Sequence, residues 1–180
     1  KLLVYSVYAT HPMSYYGTGK INADFPGLAR TRLQNEAPDT FQIYASGCSG
    51  NVTAGKYNDG NPANRVALAN RLFEGMKAAS QTAARQELSS LTFRNEKLKI
   101  LPCTSPKFSR ESLTKVIGEK EDARSHLLAS LGLSWLDRIE REGSEIDVPS
   151  IVFNDGAAQI LLLPGEIYVE YQLYAQSLAP

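Results

Sequence analysis

The chain is sparing with the residues that most often carry chemistry. Its 180 residues include two histidines, two cysteines, two methionines and one tryptophan. Cys48 and Cys103 are too few for a disulfide framework and lack the spacing of a metal-binding pair. Net charge is missing as well: 19 basic and 19 acidic residues give a formal charge of zero. That balance offers no electrostatic reason to expect nucleic acid or an anionic membrane as partner. No apolar run approaches the roughly 20 residues of a transmembrane helix, so no transmembrane segment is expected. The opening "KLLVYSVYATHP" has one lysine and no small-residue cleavage site, and reads as a strand rather than a signal peptide. It begins inside that strand, without methionine, and the sequence stops just after a helix. The expectation is therefore a segment of something longer.

What remains is an ordinary globular composition, 43% hydrophobic and 21% charged, at a length that suits one domain with a substantial core. Residues 2–10 are rich in Leu, Val and Tyr, as a buried strand is. Asp24 precedes Phe25-Pro26, where Asp caps a helix and Pro fits its first turn, and that helix is expected to run to about Glu36 with Leu28 and Leu33 among its apolar residues. "TFQIYASG" (40–47) reads as a second strand. Pro62 opens a helix with Val66, Ala69, Phe73 and Met76 on one face. "SLTFRNEKLKILP" reads as an exposed or edge strand. Residues 109–142 read as helical with a break near Gly132. "VPSIVFND" and "AAQILLLPG" read as a hairpin around Asp155-Gly156, and the helix "EIYVEYQLYAQSL" follows. Alternating strands and helices predict the α/β class, a mixed β-sheet flanked by helices, with residues 1–180 as a single α/β domain.

Ligands of α/β sheets bind outside the carboxyl ends of the strands. Three stretches lie at such ends. The first carries His11, followed by Pro12. Imidazole is a good zinc ligand and a strand end holds it rigidly, although a histidine there is also an ordinary hydrogen-bonded residue. His126, within the helical "ARSHLLASLG", reads as structural. The second is the loop 47–61, with four glycines and three asparagines. The small residues of "SGCSGNVTAG" let backbone N–H groups, those around Gly50, Asn51 and Val52 among them, approach a ligand, an anion or oxyanion site, and Thr53 supplies a hydroxyl that a base or metal can activate. Fifteen residues is long for a plain connection. Asn51-Val52-Thr53 also spells a glycosylation sequon, a triplet common by chance. The third carries Glu166 in "LLLPGE", where a carboxylate is favoured by the helix that follows whether or not it binds metal. The tyrosines Tyr15-Tyr16 and Tyr168 with Tyr171 read as packing or groove-lining residues.

Taken in order, these stretches resemble one family. "HPMS" (11–14) is similar to the His-Pro-Thr-Ser segment of neutral ceramidases, whose histidine binds the catalytic zinc. "ADFPGLA" (23–29) is similar to that family's Asp-x-x-Gly-x-Ala pattern. "GNVTAG" (50–55) falls where the family has Gly-Asp-Val-Ser-Pro-Asn, with the serine as nucleophile. "LPGE" (163–166) resembles the segment whose glutamate is another zinc ligand, and "GKYNDGNPANR" resembles a bacterial neutral/alkaline non-lysosomal ceramidase-like branch. The resemblance implies that His11 and Glu166 are metal ligands, that Thr53 occupies the nucleophile position, and that Gly50, Asn51 and Val52 bind substrate or oxyanion. It implies zinc as cofactor, a lipid-like amide as substrate, a secreted or periplasmic parent and a chain that is part of a larger catalytic domain. Asn51, Thr53 and Ala54 depart from the family's Asp, Ser and Pro. The family's further zinc ligands, a histidine from an earlier motif and a tyrosine from a later one, have no counterpart here. The second reading is a non-catalytic or differently specific homologue that holds a small anion or a sugar on the glycine-rich loop. Nothing in the sequence fixes the oligomeric state.

Overall fold

The computed structural model describes residues 2–120 and 122–178. In chain order its elements are β1 (Leu2–Tyr8), α1 (Asp24–Glu36), β2 (Thr40–Ser46), α2 (Ala63–Thr82), β3 (Leu91–Lys99), α3 (Arg110–Gly118), α4 (Ala123–Glu142), β4 (Glu145–Phe153), β5 (Ala158–Leu161) and α5 (Val169–Leu178). The class is α/β, with the strands in two sheets, β1-β2 and β3-β4-β5. The chain divides into two compact units, Lys1–Glu87 with Gly165–Pro180, and Leu88–Pro164. Among the described residues no helix is long and apolar enough to cross a membrane.

In the first unit β1 and β2 are parallel, in register from Leu2 opposite Thr40 to Tyr8 opposite Ser46. Parallel neighbours need a crossover, and α1 supplies it. Polar side chains of α1 bind the backbone of β2: Gln34 Nε2 donates to the Thr40 carbonyl (2.8 Å), Gln42 N–H donates to Gln34 Oε1 (3.1 Å), and Arg30 Nε donates to the Gln42 carbonyl (2.8 Å). The core lies between helices. Phe25, Ala29 and Leu33 of α1 pack with Leu68, Ala69, Leu72, Phe73 and Met76 of α2. Phe25 and Phe73 are fully buried, each worth roughly 1.5–3 kcal/mol of apolar transfer. Two expected core positions differ: Leu28 and Val66 are exposed. Val66 shares the periodic face with Phe73 but sits in the first turn of α2, outside the packed cluster, whereas Leu68 and Leu72 fill the adjacent row.

In the second unit β4 pairs antiparallel with both β3 and β5. The tight reversal at Asn154–Gly156 uses positive φ at all three residues, as Asn, Asp and Gly tolerate. β3 is exposed along its length, the edge strand its charges suggest. The helical stretch breaks between Gly118 and Ala123 rather than at Gly132. Asp122 caps α4 by accepting the N–H groups of Arg124 and Ser125. Gly132 lies inside α4, where the lack of a side chain leaves room for Leu113 of α3.

Candidate functional site

Because β1 and β2 run parallel, their carboxyl ends emerge at one edge of the sheet. The Gly47 N–H donates to the Tyr8 carbonyl (3.0 Å) as the strands part. The two loops rejoin further on, where His11 and Thr53 form a parallel bridge and His11 N–H donates to the Val52 carbonyl (2.9 Å). The segment leading into α5 lies against the second loop. Gly50 N–H donates to the Ile167 carbonyl (2.9 Å) and Cys48 N–H to Gln172 Oε1 (2.9 Å). Asn51 acts as a double clip: its Oδ1 accepts the Val169 N–H (3.0 Å), and its Nδ2 donates to the Glu170 carboxylate (2.8 and 3.1 Å). A Cβ on Gly50 would overlap the Glu166 carbonyl oxygen, so glycine is what permits this approach.

These contacts place His11, Gly50, Asn51, Val52, Thr53 and Glu166 together. His11 Nε2 lies 3.6 Å from Glu166 Oε2, with the imidazole about a quarter exposed and the carboxylate largely open to solvent. His11 Nδ1 faces the Val52 carbonyl at 3.3 Å. Assigning the proton to Nδ1 satisfies that carbonyl and leaves the Nε2 lone pair directed toward Glu166. The Thr53 hydroxyl is exposed and contacts Met13 Sδ at 3.9 Å, a weak acceptor rather than a base. Two N–H groups expected to face an oxyanion are already used. Gly50 donates to Ile167, and Val52 N–H donates to the Ser49 carbonyl (3.0 Å). The loop thus spends these two donors on its own architecture.

A second cluster beneath this edge was read from the sequence only as a helix cap. Asp24 is buried, with φ of 53°. Its Oδ1 accepts the Ser14 hydroxyl, the Ser14 N–H (3.2 Å) and the Phe25 N–H (2.7 Å), and its Oδ2 accepts the Tyr15 N–H (2.9 Å). Burial opposes ionisation, but the Ser14 hydroxyl and the N–H groups of Phe25, Tyr15 and Ser14 together outweigh it and hold the carboxyl below its ordinary range. Arg65 closes the other side: its Nε donates to the Ser14 carbonyl (2.9 Å) and its guanidinium lies 3.7 Å above the Tyr15 ring. The partners of Asp24 sit nine and ten residues upstream, and no local pattern in the sequence announces them.

Thr53 also lines a cleft of about 680 Å³ that runs along β1 and α2, with Val4, Tyr8, Leu72 and Met76 among its walls. Tyr16, Tyr168 and Tyr171 are exposed. His126 faces the Glu119 carbonyl at 3.0 Å. Among the described residues no group of three or more His, Cys, Asp and Glu side chains is gathered for a metal ion. The chain matches no family model, no curated protein and no solved structure.

Proposed function

We propose that the strand-end cluster is part of a zinc site in an amide hydrolase that cleaves an N-acyl long-chain amine to a fatty acid and a free amine, as the resemblance to neutral ceramidases implies. The observation that carries this reading is the approach of His11 Nε2 to Glu166 Oε2 at 3.6 Å across 155 positions of sequence (166 − 11). The donor types fit. An imidazole whose Nδ1 is engaged by a carbonyl presents Nε2 to a metal, and that second hydrogen bond is the usual way a zinc-binding histidine is oriented. His11 and Glu166 would hold the ion, as two of the three or four protein ligands that zinc takes. Bound zinc would polarise the amide carbonyl and lower the pKa of an oxygen nucleophile.

The chain's own residues then divide the remaining work. Thr53, bridged to His11 through the backbone, offers its hydroxyl, or the space for a water, as nucleophile toward the acyl carbon. As the oxygen–carbon bond forms the carbon–nitrogen bond breaks, and the proton given up by the attacking hydroxyl or water passes to the leaving amine. Where Thr53 is the nucleophile, a water then hydrolyses the acyl ester to release the fatty acid and restore the hydroxyl. The apolar walls of the cleft beside Thr53 suit an aliphatic chain, and its volume is that of an ordinary ligand site. Loading of a small anion or sugar on the glycine-rich loop is less favoured, because Gly50 and Val52 donate their N–H groups internally.

With two histidines in the chain, NMR reads the ligand assignment directly. Zinc should shift the His11 imidazole signals and leave those of His126 in place, and His11→Ala or Glu166→Gln should weaken binding about tenfold or more. In a parent chain that supplies the remaining zinc ligands, a fluorogenic N-acyl amine should be turned over in a zinc-dependent way that both substitutions abolish. Loss of turnover in Thr53→Ala assigns the nucleophile to its hydroxyl, and retained turnover assigns it to water. Zinc that leaves the His11 signals unmoved sinks the ligand assignment. Zinc bound at His11 in that parent without hydrolysis of the amide sinks the reaction.

A further inference from the structure

We infer that Asp24 is a positioning residue for His11, an inference that rests on the reading of His11 as a ligand. The segment His11–Tyr15 is held at two places. At its start His11 bridges to Val52 and Thr53, which belong to a long loop. At its end Ser14 and Tyr15 are bound by the Asp24 carboxylate, which sits at the start of α1 beside the fully buried Phe25. Pro12 stiffens the short span between the two anchors. Further ties hold the same segment: Asn58 Nδ2 donates to the Met13 carbonyl (3.2 Å), and Arg65 Nε donates to the Ser14 carbonyl. Of these ties, the Asp24 carboxylate and the Ser14 groups it binds are the buried ones; Asp24 joins the segment to α1, and Arg65 joins it to α2. The rigidity of α1 therefore reaches the imidazole through Asp24.

The chemistry requires a carboxylate. Four donors converge on two oxygens, three on Oδ1 and one on Oδ2. An amide nitrogen at either position would face an N–H group, leaving a buried donor without an acceptor. The backbone does not demand the same selectivity, because Asn tolerates a φ of 53° as readily as Asp. Asp24→Asn thus replaces one of the two acceptor oxygens by a donor and removes the charge, while keeping the shape and the backbone preference.

Amide hydrogen exchange on the chain tests this. In Asp24→Asn the His11 N–H, which donates to Val52, should exchange about tenfold faster. The Ala37 N–H at the end of α1 and the Gly47 N–H, which donate to Leu33 and Tyr8, should keep their protection. The zinc concentration that shifts the His11 imidazole should rise by a similar factor, and Ser14→Ala, which removes only the hydroxyl donor, should move both readouts the same way by less. An unchanged His11 exchange rate in Asp24→Asn overturns the inference, and so does an equal loss of protection at His11, Ala37 and Gly47. If Asp24→Asn does not fold, Ser14→Ala decides alone: unchanged His11 exchange there overturns it. Should zinc fail to shift His11 in the unaltered chain, the ligand reading falls, while the exchange rates still report on the positioning.

Discussion

Gly50 shows how one missing side chain assembles a site. Its N–H meets the Ile167 carbonyl, and the space a Cβ would take is filled by the Glu166 carbonyl and the Tyr168 ring. The obstacle is backbone, which cannot swing aside as the end of a side chain does. Gly50→Ala should therefore push the 166–168 segment outward and cost about 1–3 kcal/mol, the range of overpacking in a close contact. Chemical denaturation measures the loss, and the His11 response to zinc should weaken with it. Gly55→Ala is the control, since a Cβ there meets only Thr53 Cγ2 at an ordinary 3.5 Å. If the two substitutions behave alike, close approach at Gly50 is not what brings Glu166 to His11.

Elements were legible where periodicity and local chemistry agree. The extent of α1, the hairpin at Asp155-Gly156 and the exposed strand β3 follow from the proline of a first helical turn, turn residues and charge pattern, although Ala23 and not Asp24 stands at the N-cap of α1, without a side-chain cap. The break in the long helical stretch was misplaced because glycine is read as a helix breaker, while at Gly132 it serves packing against Leu113. The break belongs to Asp122, whose carboxylate binds the first N–H groups of α4 and the Ser125 hydroxyl. Those donors hold the Asp122 carboxyl below its ordinary range, the Ser125 hydroxyl contributing most. Asp122→Ala should fray the first turn of α4, read as lost protection of the Arg124 and Ser125 N–H groups and a small drop in helical circular dichroism. Unchanged protection would mean that packing of Leu113 against Gly132 alone fixes the start of α4. The site followed a similar division. Strand ends pointed to His11, Thr53 and Glu166, and the fold brings these three residues near one another. Asp24 was hidden because a cap and a long-range anchor look identical in sequence, and only the fold shows that Ser14 and Tyr15 turn back to meet it.

At the scale of the whole molecule, the first unit is drawn from both ends of the sequence, with Gly165–Pro180 returning to Lys1–Glu87. The two parts contribute differently. Every member of the packed cluster, from Phe25 to Met76, lies in the first part. The returning segment brings Glu166 together with polar attachments: the Ile167 carbonyl to Gly50, the Gln172 amide to Cys48, and the Val169 N–H and Glu170 carboxylate to Asn51. Fold and site are thus separable by sequence, since apolar burial sets most of the stability of such a unit and exposed polar contacts add little. A chain ending at residue 164 should keep the helix-on-helix core of α1 and α2, seen as retained protection at the Ala37 and Ala83 N–H groups, which donate to Leu33 and Ala79. The same truncation should lose the zinc response of His11 by about tenfold or more, because the carboxylate partner is gone. Addition of a peptide spanning residues 165–178 should restore part of it. A truncated chain that melts out α1 and α2 would show that the returning segment is part of the fold. One that binds zinc at His11 undiminished would remove Glu166 from the site.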